Sequence, residues 1–128
     1  MLEHTPVLIV EDEAVVAIDL AFAVADNGGE VIGPAHSIEE AFRILPQHPV
    51  QAAILDFELN GRDVVPLARH LFEADIPFVF HTANALPLEL AEQWPEVPVL
   101  LKPCPTALLM ETLAGEIRKR ADRARTAA

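Results

Sequence analysis

Short runs of aliphatic and β-branched residues alternate along the chain with longer segments in which apolar residues recur at helical spacing. The short runs are typical of strands buried on both faces, and the longer segments are typical of amphipathic helices that cover such strands. Strands are predicted over residues 7–10, 31–33, 50–55, 76–80 and 97–101. Helices are predicted over residues 13–26, 37–45, 63–74 and 88–94, and from 106 to about 123.

Turn and capping residues separate these elements. Gly28 and Gly29 follow the first predicted helix, and Ser37 with Glu40 three residues later forms a capping box at the start of the second. Five strand–helix units in sequence predict a parallel sheet with helices on both faces. Right-handed crossovers then bring the carboxyl ends of the strands to one edge, which is where ligands bind in open sheets of this kind.

Charged and hydroxyl side chains follow four of the five predicted strands. They are Glu11, Asp12, Glu13, Asp56, Thr82 and Lys102. Carboxylates crowded at one site raise one another's pKa, and a divalent cation relieves that repulsion. Magnesium is the expected ion because it prefers oxygen ligands. A carboxylate held beside Mg²⁺, a hydroxyl and an ammonium can attack a phosphoryl group and form an acyl phosphate.

Length and cysteine content limit the classes of protein to which the chain can belong. With 128 residues and a mass of 14.0 kDa, it has the size of one domain and can bury a core without staples. No apolar run reaches the roughly 18 residues of a membrane span, and the first residues lack the basic start of a signal peptide. The single cysteine, Cys104, excludes an intramolecular disulfide. We therefore expect a cytoplasmic protein that does not insert into a membrane.

The charge is unevenly distributed along the chain. Twenty acids and nine bases give a net charge of −11, but residues 116–128 hold five of the bases and only two of the acids. The negative field of the remaining chain repels nucleic acid, so we expect no direct nucleic-acid partner. The basic end could form a nucleic-acid arm, but a helix end whose cations interact favourably with the helix dipole is the preferred interpretation.

The motifs together resemble the receiver domain of bacterial two-component response regulators, from residue 7 to about residue 117. The resemblance rests on the acidic run 11–13, on Asp56 in the segment 54–61, on the Thr82-Ala83 step and on Lys102-Pro103. It implies one α/β domain over residues 1–128, a flavodoxin-like (βα)5 doubly wound sandwich with strand order 2-1-3-4-5, ending in the basic helix end from about 116. The chain also resembles a stand-alone, alphaproteobacterial type of receiver, although Ala83-Asn84 replaces the usual Gly-Tyr.

The resemblance also implies roles for the acidic residues. Asp56 would be the phosphoacceptor, and would take the phosphoryl group from a sensor histidine kinase or a histidine phosphotransfer protein. Mg²⁺ would be bound by Asp12 and Asp56 directly, by Glu11 mainly through water, and by the backbone carbonyl of Glu58. The protein would thus be a phosphoacceptor with slow autodephosphorylation rather than an enzyme, and phosphorylation would change its binding of a downstream protein partner.

A second group of residues would carry the switch. Thr82 would bond the phosphoryl group, and Lys102 would pair with its oxygens, positioned by a cis bond to Pro103. Receivers commonly have an aromatic ring three residues before this lysine, but here the residue is Val99. We therefore expect the signal to leave through the loop 83–87 and the short helix that follows it.

Three other interpretations remain open on the sequence alone. The chain could be a receiver excised from a hybrid kinase or a larger regulator. It could be a Mg²⁺-dependent phosphatase that uses Asp56 as a transient nucleophile, with Glu58 in the place of the usual second acid. It could also be a degenerate receiver that only binds partners, which the retention of all the site residues argues against.

The first predicted helix carries more apolar residues than one buried stripe requires, and its only charge between residues 14 and 25 is Asp19. It could dock on a helical hairpin of a kinase, mediate a homodimer, or be buried by its neighbours.

Two side chains near the site are expected to take no part in its chemistry. His81 alternates with Thr82 and should point away from the site, and Cys104 is expected to be an inert thiol.

Overall fold

The computed structural model describes residues 1–127, with side chains to residue 126, so Ala128 of the predicted domain lies outside the described residues. Strands and helices alternate along the chain. The strands are β1 (Pro6–Val10), β2 (Glu30–Ala35), β3 (Ala52–Leu55), β4 (Glu58–Leu59), β5 (Arg62–Asp63), β6 (Phe78–Thr82) and β7 (Val99–Leu101). The helices are α1 (Ala14–Asp26), α2 (Ile38–Ile44), α3 (Val65–Glu73), α4 (Leu88–Gln93) and α5 (Thr106–Ala127), with a 3₁₀ turn at Leu45–Gln47.

Five strands form one parallel sheet in the order β2-β1-β3-β6-β7, and β4 pairs with β5 in a separate antiparallel hairpin. With the hairpin set aside, this is the predicted 2-1-3-4-5 order, so the predicted fold class is confirmed. The chain reverses its direction of winding between β1 and β3. In doubly wound sheets this reversal opens a crevice at the carboxyl ends of the two central strands.

The sheet separates two apolar cores, because alternate residues of each strand face opposite sides. On one side, Leu8, Ile32 and Phe80 pack with residues of α2 and α3 and with Trp94. On the other side, Ile9 and Val79 belong to a cluster with residues of α1 and α5. All residues of β1 and β3 are buried, as a central strand covered on both faces requires.

Several element boundaries differ from the sequence prediction, and two of them differ because polar residues continue the sheet or interrupt a helix. The strand predicted over 76–80 lies at Phe78–Thr82, since its polar end still pairs with β7, where the Lys102 N–H donates to the Thr82 carbonyl at 2.8 Å. The helix predicted from 63 begins at Val65 because the preceding residues form β5.

The hairpin of β4 and β5 was not predicted, although an Asn-Gly step is the strongest short-range signal for such a turn. Asn60 and Gly61 occupy the turn with φ of 53° and 78°.

One of the two hydrogen bonds of the predicted capping box is present, since the Ser37 hydroxyl accepts the Glu40 N–H at 3.1 Å. The Lys102–Pro103 bond is cis, as predicted, and so is Gly33–Pro34.

Most of the basic residues at the end of α5 are paired with acids. Arg120 and Arg123 both contact Asp75, at 2.7 Å and 3.5 Å. Two further pairs lie within the helix itself, Lys119 with Glu116 and Arg125 with Asp122. This pairing favours a solvated helix end over a free cationic arm. Over the described residues, no helix is both long and apolar enough to cross a membrane.

The space around Gly29 and Gly115 predicts opposite effects of an alanine substitution on stability. A Cβ at Gly29 would lie 2.8 Å from a methyl of Val24 and 2.9 Å from a methyl of Leu2, both in the core, whereas a Cβ at Gly115 in α5 would meet only Arg118 at 3.9 Å. We expect Gly29→Ala to lower the free energy of unfolding by about 1–3 kcal/mol through overpacking. Gly115→Ala should raise it by about 0.5–1 kcal/mol through helix propensity. Urea unfolding measures both, and equal signs for the two variants would contradict the packing at Gly29.

Candidate functional site

Three carboxylates converge in the crevice at the carboxyl ends of β1 and β3. Glu11 and Asp12 follow β1, and Asp56 follows β3, so parallel pairing of these strands places them side by side. One oxygen atom of each carboxylate lies within 4.8 Å of the others. Glu11 is 1% exposed and Asp56 is 7% exposed. Oxygen donors this close are the kind of ligand set that suits Mg²⁺.

The ammonium of Lys102 bridges two of these carboxylates. Its Nζ lies 2.8 Å from Glu11 Oε1 and 3.0 Å from Asp56 Oδ2, while Glu13 Oε1 lies farther away at 3.7 Å. The lysine follows β7, the edge strand, and reaches the cluster across the end of β6. Buried carboxylates need such a partner, because an unpaired buried charge is strongly unfavourable.

Burial and hydrogen bonding change the pKa of Glu11 and the pKa of Lys102. The pKa of Glu11 is raised to about 7, chiefly by burial and also by the negative charge of Asp56, although the hydrogen bonds from Lys102 and the Glu13 N–H lower it. Burial tends to lower the pKa of Lys102, but hydrogen bonds to Glu11 and Asp56 outweigh burial and leave that pKa above its usual value. Glu11 and Lys102 therefore both hold their protons more tightly than the isolated side chains would.

Thr82 and His81 lie at the end of β6 on opposite faces of the sheet. Thr82 is buried, and its Oγ1 accepts the Asn84 N–H at 3.3 Å. His81 is buried as well, and its Nδ1 has no hydrogen-bond partner among the described residues. Burial lowers the pKa of His81, and the positive charge of Lys102 lowers it further, which favours a neutral ring. The charges of both Lys102 and Asp56 act on this pKa, so the ring lies near the carboxylate cluster.

The hairpin after β3 contributes contacts that the sequence analysis missed. The Glu58 N–H donates to Asp56 Oδ1 at 3.3 Å, and the Asn60 N–H donates to Asp12 Oδ2 at 2.9 Å. The Asn-Gly step was the available signal for the hairpin, but not for its contact with Asp12.

Cys104 follows the cis proline beside the site. Burial raises the pKa of its thiol, which disfavours the reactive thiolate.

Comparisons with known proteins agree with this geometry. No protein-family model matches the chain. The transcriptional regulatory protein PdtaR of Mycobacterium tuberculosis is 35% identical over 78 residues, which are 60% of this chain and 38% of PdtaR. The chain therefore spans less than half the length of this curated relative.

Among the similar solved structures, two examples each cover more than nine-tenths of this chain. A response regulator receiver protein from Sinorhizobium medicae WSM419 has a TM-score of 0.81 at 25% identity, with 94% of this chain and 99% of that chain covered. The signal receiver domain of a modulated diguanylate cyclase from Desulfovibrio desulfuricans G20 has a TM-score of 0.77 at 28% identity, with 92% and 97% covered.

The titration of Glu11 predicts a pH dependence of stability in the metal-free protein. Because its pKa rises from 4.5 to about 7 on folding, the folded protein binds this proton more tightly than the unfolded chain does, and raising the pH across that interval favours unfolding. As the pH rises from 4.5 to about 7, the free energy of unfolding of the wild type should therefore fall relative to that of Glu11→Gln. The expected fall is at least ~1 kcal/mol, since one pKa unit corresponds to about 1.4 kcal/mol. Urea unfolding in EDTA at several pH values measures this, and a difference that is constant with pH would contradict it.

Proposed function

Because this chain belongs to the receiver domains of response regulators, we propose that it accepts a phosphoryl group on Asp56 in a Mg²⁺-dependent reaction. The observation that carries the proposal is the cluster itself, in which Lys102 contacts Asp56 at 3.0 Å and Glu11 at 2.8 Å while Asp12 completes a set of three carboxylates. Such a set would combine a nucleophile, a metal site and a fixed cation in one crevice.

The charge balance supports a divalent cation at this place. When all three carboxylates are ionised, the single ammonium of Lys102 leaves two negative charges, which one Mg²⁺ would neutralise. Asp12, Asp56 and the Glu58 carbonyl would hold the ion, with Glu11 mainly through water. A bound Mg²⁺ would neutralise charge on the transferring phosphoryl oxygens. Since Glu11 has a raised pKa, metal binding near neutral pH should also release protons.

The donor would be a phosphohistidine. Asp56 would attack its phosphorus, forming an oxygen–phosphorus bond while the nitrogen–phosphorus bond breaks and its electron pair returns to the imidazole. Asp56 Oδ2 is held by Lys102, whereas Oδ1 has only the longer 3.3 Å contact with the Glu58 N–H, so Oδ1 is the freer oxygen for attack. Lys102 and the Thr82 hydroxyl would then bind the phosphoryl oxygens.

The exposed face of α1 supports docking of the phosphodonor protein. Val15, Ile18 and Phe22 are 74%, 53% and 65% exposed, while other residues of the same helix pack into the core. This apolar face begins two residues after the acidic run that follows β1, so it adjoins the phosphoacceptor. A sensor histidine kinase or histidine phosphotransfer protein that covers it would bring its phosphohistidine to Asp56. A homodimer through α1 is the competing use of this face.

The other functions weighed on the sequence are less well supported. A phosphatase would use Glu58 as a second acid, but this side chain is exposed on β4. A place within a longer regulator is the second candidate, because the matched segment is only 38% of PdtaR. We propose a non-enzymatic phosphoacceptor with slow autodephosphorylation, which acts in the cytoplasm on a downstream protein partner.

The output would use the loop 83–87 and α4. A series of packed aromatic rings connects the neighbour of Asp56 to the end of α4. The rings are those of Phe57, Phe80, Phe78 and Trp94, with centroids 5.9, 5.5 and 6.3 Å apart in that order. Val99 has no ring to reorient, so this packing is the route by which a change at Asp56 would reach α4.

The first functional prediction concerns the phosphoacceptor. With acetyl phosphate and Mg²⁺, intact-mass measurement should find one phosphoryl adduct on the wild type and none on Asp56→Asn, because no other carboxylate follows β3 in contact with Lys102. Glu58→Gln serves as the matched control and should still form the adduct, since only the backbone of residue 58 is assigned to the site. An adduct that persists on Asp56→Asn would overturn the assignment.

The second prediction concerns the switch. Trp94 is the only tryptophan and the chain has no tyrosine, so intrinsic fluorescence reports on the end of α4 alone. Beryllofluoride with Mg²⁺ should change this fluorescence in the wild type and leave that of Asp56→Asn unchanged. Backbone amide spectra should show the largest changes over residues 83–95. Changes confined to residues 11–13 and 56–61 would contradict an output through α4.

A further inference from the structure

The tip of the β4–β5 hairpin is bound to two other loops, and Asn60 makes both contacts. Its backbone N–H donates to Asp12 Oδ2 at 2.9 Å, and its side-chain Nδ2 donates to the carbonyl oxygen of His36 at 3.0 Å. These bonds join the loop after β1, the loop after β2 and the hairpin after β3. Asn60 therefore lies where three segments distant in sequence meet at the acidic cluster.

His36 extends this connection to the backbone of Glu11. The His36 ring nitrogen Nδ1 lies 3.0 Å from the carbonyl oxygen of Glu11. A carbonyl oxygen only accepts hydrogen bonds, so Nδ1 carries the proton and donates it. Hydrogen bonds thus connect Asn60 at the hairpin tip to His36, and His36 to the backbone of Glu11.

Turn geometry alone does not account for the asparagine side chain. The turn requires a left-handed backbone at Asn60, where φ is 53°, and glycine meets that requirement at least as well. Any residue except proline could also supply the N–H that binds Asp12. The bond from the amide to His36 is what asparagine adds, and it restrains the tip that carries this N–H.

We propose that Asn60 is a positioning residue for the divalent cation. Its side-chain bond to His36 fixes the hairpin tip, so that the N–H of Asn60 holds the Asp12 carboxylate beside Glu11. The same hairpin carries Glu58, whose carbonyl is a proposed ligand. Asn60 does not itself bind the ion. The proposal rests on the Mg²⁺ site of the proposed function and adds a residue that sets its affinity.

A second side-chain contact of the hairpin provides a matched control. Arg62 forms an ion pair with Glu39, and the two side chains are 61% and 52% exposed. Ion pairs between exposed side chains contribute little, and this one has no contact with the acidic cluster. Arg62→Ala therefore perturbs the same hairpin without affecting the bonds to Asp12 or His36.

The experiment measures Mg²⁺ affinity by isothermal titration calorimetry on the full chain. Asn60→Gly should weaken binding about fivefold, the effect of one lost neutral hydrogen bond, and Arg62→Ala should leave it unchanged. In phosphorylation by acetyl phosphate, Asn60→Gly should need about fivefold more Mg²⁺ for half-maximal rate. At saturating Mg²⁺ its rate should equal that of the wild type, which a general loss of structure would not allow.

Each other outcome has a distinct meaning. Wild-type affinity in Asn60→Gly overturns the proposal, and equal weakening in Asn60→Gly and Arg62→Ala overturns the assignment to Asn60. If thermal unfolding shows that Asn60→Gly does not fold, Asn60→Ser, which keeps the backbone N–H but is too short to reach the His36 carbonyl oxygen, takes its place. Unchanged Mg²⁺ affinity in Asn60→Ser would then overturn the proposal. A wild type that binds no Mg²⁺ would instead contradict the proposed function.

Discussion

The ammonium of Lys102 between Glu11 and Asp56 is the interaction on which the carboxyl edge of the sheet depends. Both carboxylates are almost fully buried, and without a cation the desolvation of two adjacent negative charges would oppose folding of this edge. One lysine cannot balance three carboxylates, and the pKa of Glu11 is raised chiefly by burial and further by the negative charge of Asp56. The fold thus tolerates an electrostatic imbalance that a divalent cation would relieve.

The parallel sheet makes this imbalance possible. The strands that lead to the site are covered on both faces, so their ends are held by packing that does not depend on the charges. The carboxylates follow the two central strands, β1 and β3, at the point where the winding reverses. Rigid strands below and exposed loops above give a site whose carboxylates are fixed while the connecting loops remain free to respond.

Much of this arrangement could be predicted from the sequence, because it depends on local periodicity and on one topological rule. The buried strands and the helices were found from their apolar spacing, and their alternation placed Asp56 and Lys102 at one edge. The contact of Asn60 with Asp12 could not be predicted, since it joins residues 48 positions apart and depends on the exact path of a short hairpin. The end of β6 was missed because His81 and Thr82 are polar, although pairing with β7 overrides that preference.

The aromatic packing and the short fourth helix together indicate where the molecule can change shape. Phe57 follows Asp56 directly, and the rings from Phe57 to Trp94 lie in continuous contact through the core. Packing of this kind transmits a change only if it ends at an element with two arrangements of similar free energy. In the proposed switch α4 would be that element, because it has six residues, none of them buried, and no side-chain cap at its first turn. A helix with so few buried contacts is held by little free energy, so a small displacement near Asp56 would be enough to move it, whereas the central strands would resist the same displacement.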